Sequence, residues 1–167
     1  IQSCSGCVAC SRGLVMGKGM ICSRQDDFKA FYEKVIEADG VLFVDPIFES
    51  GATGLYHSIT DRMGPGHDTG MMKMLDGKLK EAGKEGLNPR YFRQKALSFV
   101  GIGGSDWAVR CETDHAMFAL SPGWKVVNNE FFSWCKDVIM QDDKVERMKE
   151  IGRNLVDAVQ QIIDEDM

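Results

Sequence analysis

Apolar residues recur with helical spacing in two long stretches of the chain. Phe28, Phe31, Tyr32, Val35 and Ile36 fall at i, i+3, i+4, i+7 and i+8, one face of an amphipathic helix whose aromatics pack into a core. Asp26 and Asp27 precede it, where carboxylates favour a helix N-terminus, and Gly40 ends it. Val145, Met148, Ile151, Leu155, Val159 and Ile162 form a second stripe, on a helix predicted over 143–164 with acidic residues on its other face. Shorter helices are predicted from Leu55 to Arg62 and from Trp107 to about Leu120. Between them lies a continuous apolar run bounded by turn residues, Val41 to Val44, and two further strands are predicted at Ala96 to Ile102 and Trp124 to Val127. Runs of that kind read as buried parallel strands. Strands alternating with helices predict an α/β fold, a parallel sheet with helices on both faces. Residues 63–94 keep no steady period and are rich in Gly, Met and charge. They are expected to form a mobile insertion, an oligomer arm or a long solvated loop with a helical piece. His67 is expected at the surface.

Composition narrows the classes. A length of 167 residues suits one domain, and a formal net charge of -5 argues against a nucleic-acid surface. No apolar run approaches the roughly 20 residues a membrane helix needs, so no membrane partner is expected. No secretory signal is visible, which points to a reducing, cytoplasmic setting.

The chemistry is concentrated at the start. Cys4, Cys7 and Cys10 are spaced C-x2-C-x2-C, and Cys22 follows a stretch containing Gly13, Gly17 and Gly19. Three evenly spaced thiols plus a fourth suit a [4Fe–4S] cluster, and the glycines allow the tight turns that wrapping one requires. Structural zinc uses the same ligands, but usually as two separated C-x2-C pairs. Unliganded or redox-active thiols remain a further reading, and disulfides fit a reducing compartment least. Cys111 has no second Cys nearby and reads as packing.

Two strand-end loops follow. Ligands of open α/β sheets bind beyond the carboxyl ends of strands, which makes Asp45 to Gly54 a candidate cofactor loop. Gly103, Gly104, Ser105 and Asp106 make a second turn, where glycine permits close backbone approach and Ser or Asp caps a helix. Asp45, Glu49, Tyr56 and His57 lie near the first loop and are candidate proton donors, although packing or solvation explains each equally well.

The order of these features is a pattern of its own. A Cys motif, a DD-helix, ADGVLFVDPIF from Ala38 to Phe48, a helix ending in Asp61-Arg62, a strand ending in GIGG, then WKVV and a final helix follow one another. This resembles the NADPH-dependent FMN reductase branch of the flavodoxin-like superfamily, and the Cys-rich start resembles its iron–sulfur flavoproteins. The resemblance implies a flavodoxin-like three-layer sandwich. It implies that Pro46, Ile47, Phe48, Glu49, Ser50 and Gly51 line one side of an FMN ring, with Gly103, Gly104, Ser105 and Asp106 at the other edge. It also implies that Cys4, Cys7, Cys10 and Cys22 hold a [4Fe–4S] cluster near it. The expected function is a flavin-dependent NAD(P)H oxidoreductase that relays electrons through the cluster, working as a homo-oligomer, dimer or tetramer. A non-enzymatic carrier fed by a ferredoxin-like donor, and a scaffold that has lost FMN, are the alternatives. Relatives place a strand, a phosphate loop and a helix before the Cys motif. Here the expectation is that a longer chain or a partner supplies them, because the sheet otherwise lacks its central strand.

Overall fold

The three apolar runs become three parallel strands: β1 (Gly40–Pro46), β2 (Ala96–Gly103) and β3 (Lys125–Ser133), in the order β1-β2-β3. The computed structural model describes residues 1–19, 22–103, 109–120, 123–133 and 141–166. They divide into two compact units. A sheet unit comprises Asp39–Thr53, Gln94–Leu120 and Trp124–Met167, and a thiol unit comprises Ile1–Ala38, Gly54–Arg93 and Ser121–Gly123.

In the sheet unit β2 is central and buried on both faces from Ala96 to Gly101, an apolar run interrupted by Ser98. Helix α5, described over Val109–Leu120, covers one face, where Phe99 stacks on His115 and Phe43 meets Phe118 edge-on. Helix α6 (Asp142–Glu165) covers the other, packing Ala158 and Ile162 on Ala96 and Ile151 on Val100. Of these, Ile151, Ile162 and Val100 contribute about 1.5–3 kcal/mol each, and the alanines less. Gly40 opens β1 because a Cβ there would meet Val159 Cγ2 at 2.7 Å. The expectation of an α/β sheet with helices on both faces is met.

Strand β3 runs longer than the sequence pattern suggests. Its register against β2 slips by one residue after Val126, a bulge that resets the inward and outward alternation. Two of its central polar side chains are engaged locally: Asn129 donates to the Glu112 carbonyl at 2.8 Å, and Glu130 pairs with Arg147.

The thiol unit holds α1 (Ala9–Val15), α2 (Phe28–Glu37), α3 (Gly54–Met63) and α4 (Thr69–Glu81), with short 3-10 turns at Gly64–His67 and Pro89–Tyr91. Helix α2 buries Phe28, Tyr32, Val35 and Ile36, the stripe read from its spacing. Two stretches hold helices whose bounds the pattern did not mark. The Gly-rich segment after Cys7 contains helix α1, and residues 63–94 contain α4. Asp68 caps α4 by accepting from Met71 N at 2.8 Å, and Met72 and Leu79 pack with Leu14 and Leu87. The pattern hid α4 because its buried face is narrow and includes a carboxylate. Asp76 accepts from Leu87 N at 2.9 Å and Lys80 Nζ at 2.7 Å. The side chain of His67 lies outside the described residues. Among the described residues, no helix is long and apolar enough to cross a membrane.

Candidate functional site

Cys4 and Cys7 sit on the extended N-terminal segment and are exposed, whereas Cys10, on α1, and Cys22 are half-buried. The segment turns through left-handed backbone at Gly6, Val8, Gly17 and Gly19. Val8 is the costly member of that set, because a β-branched residue is strained there. Polar contacts hold the thiols in place. Cys7 Sγ lies 2.9 Å from Ser23 Oγ, next in sequence to Cys22. This hydroxyl, aided by the Ala9 N–H, pulls the Cys7 thiol down to about 7. Cys4 Sγ accepts from Gly6 N at 3.4 Å, and Cys22 Sγ accepts from Arg62 Nη2 at 3.2 Å.

Arg62 is the hub of this unit, and its side chain is 1% exposed. Nη1 and Nη2 grip the two Asp26 oxygens at 2.6 and 2.8 Å, a bidentate pair. Nη1 also reaches the Gln2 carbonyl at 3.0 Å, and the guanidinium lies 4.2 Å above the Phe28 ring. Gln2 N in turn donates to Asp26 at 2.7 Å. The guanidinium holds the Asp26 carboxyl well below the usual carboxylate range. Sequence reading placed Asp26 at a helix N-terminus, and it does accept from Phe28 N at 3.3 Å. Its stronger partner is Arg62, visible in sequence only as the Arg of the Asp61-Arg62 pair.

Among the described residues no three of these four sulfurs lie within 4.8 Å of one another. A tetrahedral zinc ion would need sulfurs about 3.8 Å apart, closer than any three of them stand. Beside Cys22 is a cavity of 580 Å³ walled by Phe28, Tyr32, Tyr91 and Lys18.

The second candidate site is in the sheet unit, at the carboxyl ends of β1 and β2. Pro46 ends β1, and Ile47 N extends the pairing to the Ile102 carbonyl at 2.8 Å. Phe48 to Gly51 then turn back, with Gly51 N bonded to Phe48 O at 3.1 Å. Glu49 and Ser50 have φ of 50° and 65°, left-handed values that usually select Asn or Gly. Neighbours hold the turn in this form. Cys111 N donates to Ser50 O at 3.1 Å, Ala52 N to Asp114 at 3.4 Å, and Thr53 N and Oγ1 to Asp45 at 2.9 and 2.7 Å. Gly103 is needed beneath, because a Cβ there would meet Ile47 Cβ at 2.8 Å. The fold therefore brings Pro46–Gly51 and Gly103 together, and leaves Phe48 70% exposed at the tip. Gly104, Ser105 and Asp106 lie outside the described residues.

The candidate proton donors belong to both units. Glu49 is exposed on the turn, while Asp45 is buried and engaged with Thr53. Tyr56 and His57 belong to the thiol unit, where Tyr56 is buried and the two rings meet edge-on at 5.5 Å. Cys111 is buried, as expected of a packing residue, but its helix also brings His115 against it, a neighbour the sequence reading did not single out.

Known proteins resemble this chain in sequence and fold. A flavone reductase of known structure superposes with a TM-score of 0.79 at 43% identity, over 85% of this chain and 49% of its own. An iron-sulfur flavoprotein of Archaeoglobus fulgidus is 27% identical over 108 residues, 65% of this chain and 43% of that protein. An NADH:FMN oxidoreductase, EMOB in its apo form, shares the fold at 18% identity and a TM-score of 0.55, over 88% of this chain and 66% of its own. The chain thus spans about half the length of the first two. The model of NADPH-dependent FMN reductase matches residues 9–137, from α1 through β3, and the chain belongs to that family.

Proposed function

We propose that this chain is part of an FMN-dependent NAD(P)H oxidoreductase in which Cys4, Cys7, Cys10 and Cys22 hold a [4Fe–4S] cluster. The observation that carries the flavin half is the left-handed turn at Glu49 and Ser50, pinned at the strand ends over Gly103. Backbone strain persists where surrounding structure over-determines it, and that is common at ligand sites. Pro46–Gly51 would present backbone and the exposed Phe48 to the flat ring, and Gly103 to Asp106 would approach its edge. Bound FMN supplies hydride chemistry with a nicotinamide donor, and a cluster supplies single-electron transfer. In the thiol unit Arg62 orients Cys22 and places an N–H on its sulfur, an interaction that raises cluster potentials.

The flavone reductase likeness suggests a flat aromatic acceptor, and the aromatic-walled cavity beside Cys22 suits one. Four free thiols in one segment favour a reducing cytoplasm. Leu42 and Val44 of the edge strand β1 are 45% and 57% exposed, a surface that a further strand or a second copy of the chain would cover.

An anaerobic absorbance spectrum, with iron and sulfide analysis before and after NADPH, tests the reading. Flavin bands over a broad brown absorbance, four iron per chain and bleaching by NADPH are expected. Flavin without iron would remove the cluster and leave a plain reductase. A colourless protein that takes up neither FMN nor iron would overturn both halves. NADPH oxidation with a small aromatic acceptor separates an enzyme from a carrier.

A further inference from the structure

Asp45, Cys111 and His115 are all buried in the sheet unit, and one ligand atom from each lies within 4.8 Å of the others. The separations are informative. Cys111 Sγ is 3.5 Å from His115 Nε2, and Asp45 Oδ2 is 3.9 Å from the same nitrogen. An N–H···O hydrogen bond closes to about 2.7–3.2 Å, so carboxylate and imidazole stand too far apart to satisfy each other directly. The edges of a tetrahedral zinc site, built from bond lengths of about 2.0–2.3 Å, are about 3.3–3.6 Å. Sulfur, nitrogen and oxygen are the donors such an ion takes.

We propose that Asp45, Cys111 and His115 form a binding site for a divalent zinc-like ion, separate from the N-terminal thiols. The supporting shell is in place. Thr53 N and Oγ1 hold the Asp45 oxygens, and Phe99 stacks on the His115 ring at 4.5 Å and 9°, fixing its plane. Cys111 and His115 are four residues apart on α5, so one helical face presents both. The carboxylates of Asp45, Asp114 and Glu112 place negative charge around the buried thiol, which favours a cation there. Sγ also lies 3.9 Å from Nδ1, beside the ring rather than on the Nε2 lone-pair axis. Binding swings the sulfur round to the lone-pair side of Nε2, keeps their separation near 3.5 Å, and releases the thiol proton to buffer. The thiolate and the Asp45 carboxylate then balance the two charges of the ion. Asp45 borders Pro46, and Cys111 N holds Ser50 O, so the ion would lock the turn from Phe48 to Gly51.

The test is anaerobic cobalt(II) titration of the chelator-treated C4S/C7S/C10S/C22S chain, which removes the competing thiols. One equivalent is expected, with tetrahedral d–d bands and a thiolate charge-transfer band. Adding C111S should abolish that band, and adding H115Q should weaken uptake at least about 100-fold. Zinc should raise the thermal midpoint of the parent and not of the C111S form. If circular dichroism shows the four-serine chain unfolded, native mass spectrometry of zinc-loaded wild type against C111S decides, with one ion fewer expected. No cobalt uptake by a folded four-serine chain, or equal stoichiometry with and without C111S, overturns the proposal.

Discussion

The two units place their candidate groups by different forces. In the sheet unit the strand ends are fixed by apolar packing on both faces of β2, and the polar groups Asp45, Cys111 and His115 are enclosed within it. In the thiol unit the cysteine-bearing segment is itself polar and largely exposed, and one buried guanidinium ties it down. Apolar packing spreads its stabilisation over many contacts, whereas a buried ion pair concentrates it in two residues. The first site should therefore tolerate single changes that the second does not.

Replacing Arg62 tests that contrast most strongly. Arg62→Met removes the fork to Asp26, Gln2 and Cys22 and should destabilise by about 2–3 kcal/mol. Hydrogen exchange should show the loss in α2 and α3 first, with β2 still protected. Equal loss in both units would break the comparison. The effect has a pH signature. Arg62 lowers the Asp26 carboxyl in the folded state. The stabilisation is therefore present above the ordinary Asp value of about 3.9 and is lost as pH falls below it toward the folded-state value. An acid denaturation series should show this step in wild type and not in Arg62→Met.

The sheet unit has its own weak point, where packing leaves no room. Gly103→Ala would drive a Cβ against Ile47 Cβ at 2.8 Å and Ile47 O at 3.2 Å, close to the backbone of the turn. A cost of about 1–3 kcal/mol is expected, with weakened flavin uptake, read by urea denaturation and fluorescence titration. Gly101→Ala meets only the Ile47 Cδ1 tip at 2.7 Å within that distance, which can rotate away, so its cost should be smaller. If the two variants behave alike, the turn is not seated on Gly103.

A smaller effect concerns reactivity rather than stability. In the metal-free chain Cys7 should alkylate with a half-maximal rate near pH 7, the value Ser23 sets. Ser23→Ala should move that midpoint toward the ordinary thiol value of about 8.5 and slow labelling at neutral pH several-fold. The smallest change should be Ser50→Gly. It relieves a left-handed Ser with φ of 65° and should stabilise the fold by about 0.5 kcal/mol, while loosening the turn. A destabilised Ser50→Gly variant would show that the turn carries no strain.

Much of the sheet unit was legible in advance because its forces are local to each element. Apolar runs located β1 and β2, and spacing located α6, as it did α2 in the thiol unit. β3 was read too short, since its bulge and the Asn128–Glu130 stretch break the pattern on which the reading relied. Helix α4 is legible only as a helical piece without bounds, because Gly70, Gly77 and buried Asp76 interrupt its stripe, and Leu14 and Leu87, outside the helix, complete its core.

The sequence alone determined the α/β alternation, the crowding of thiols before residue 23 and the family pattern, all of which depend on composition and spacing along one dimension. Tertiary structure decided the partners: Arg62 with Cys22 and Asp26, and Asp45 with Cys111 and His115. Side chains far apart in the chain meet only when helices and strands pack. The orientation of a guanidinium or an imidazole is then set by the few polar atoms that burial leaves within its reach.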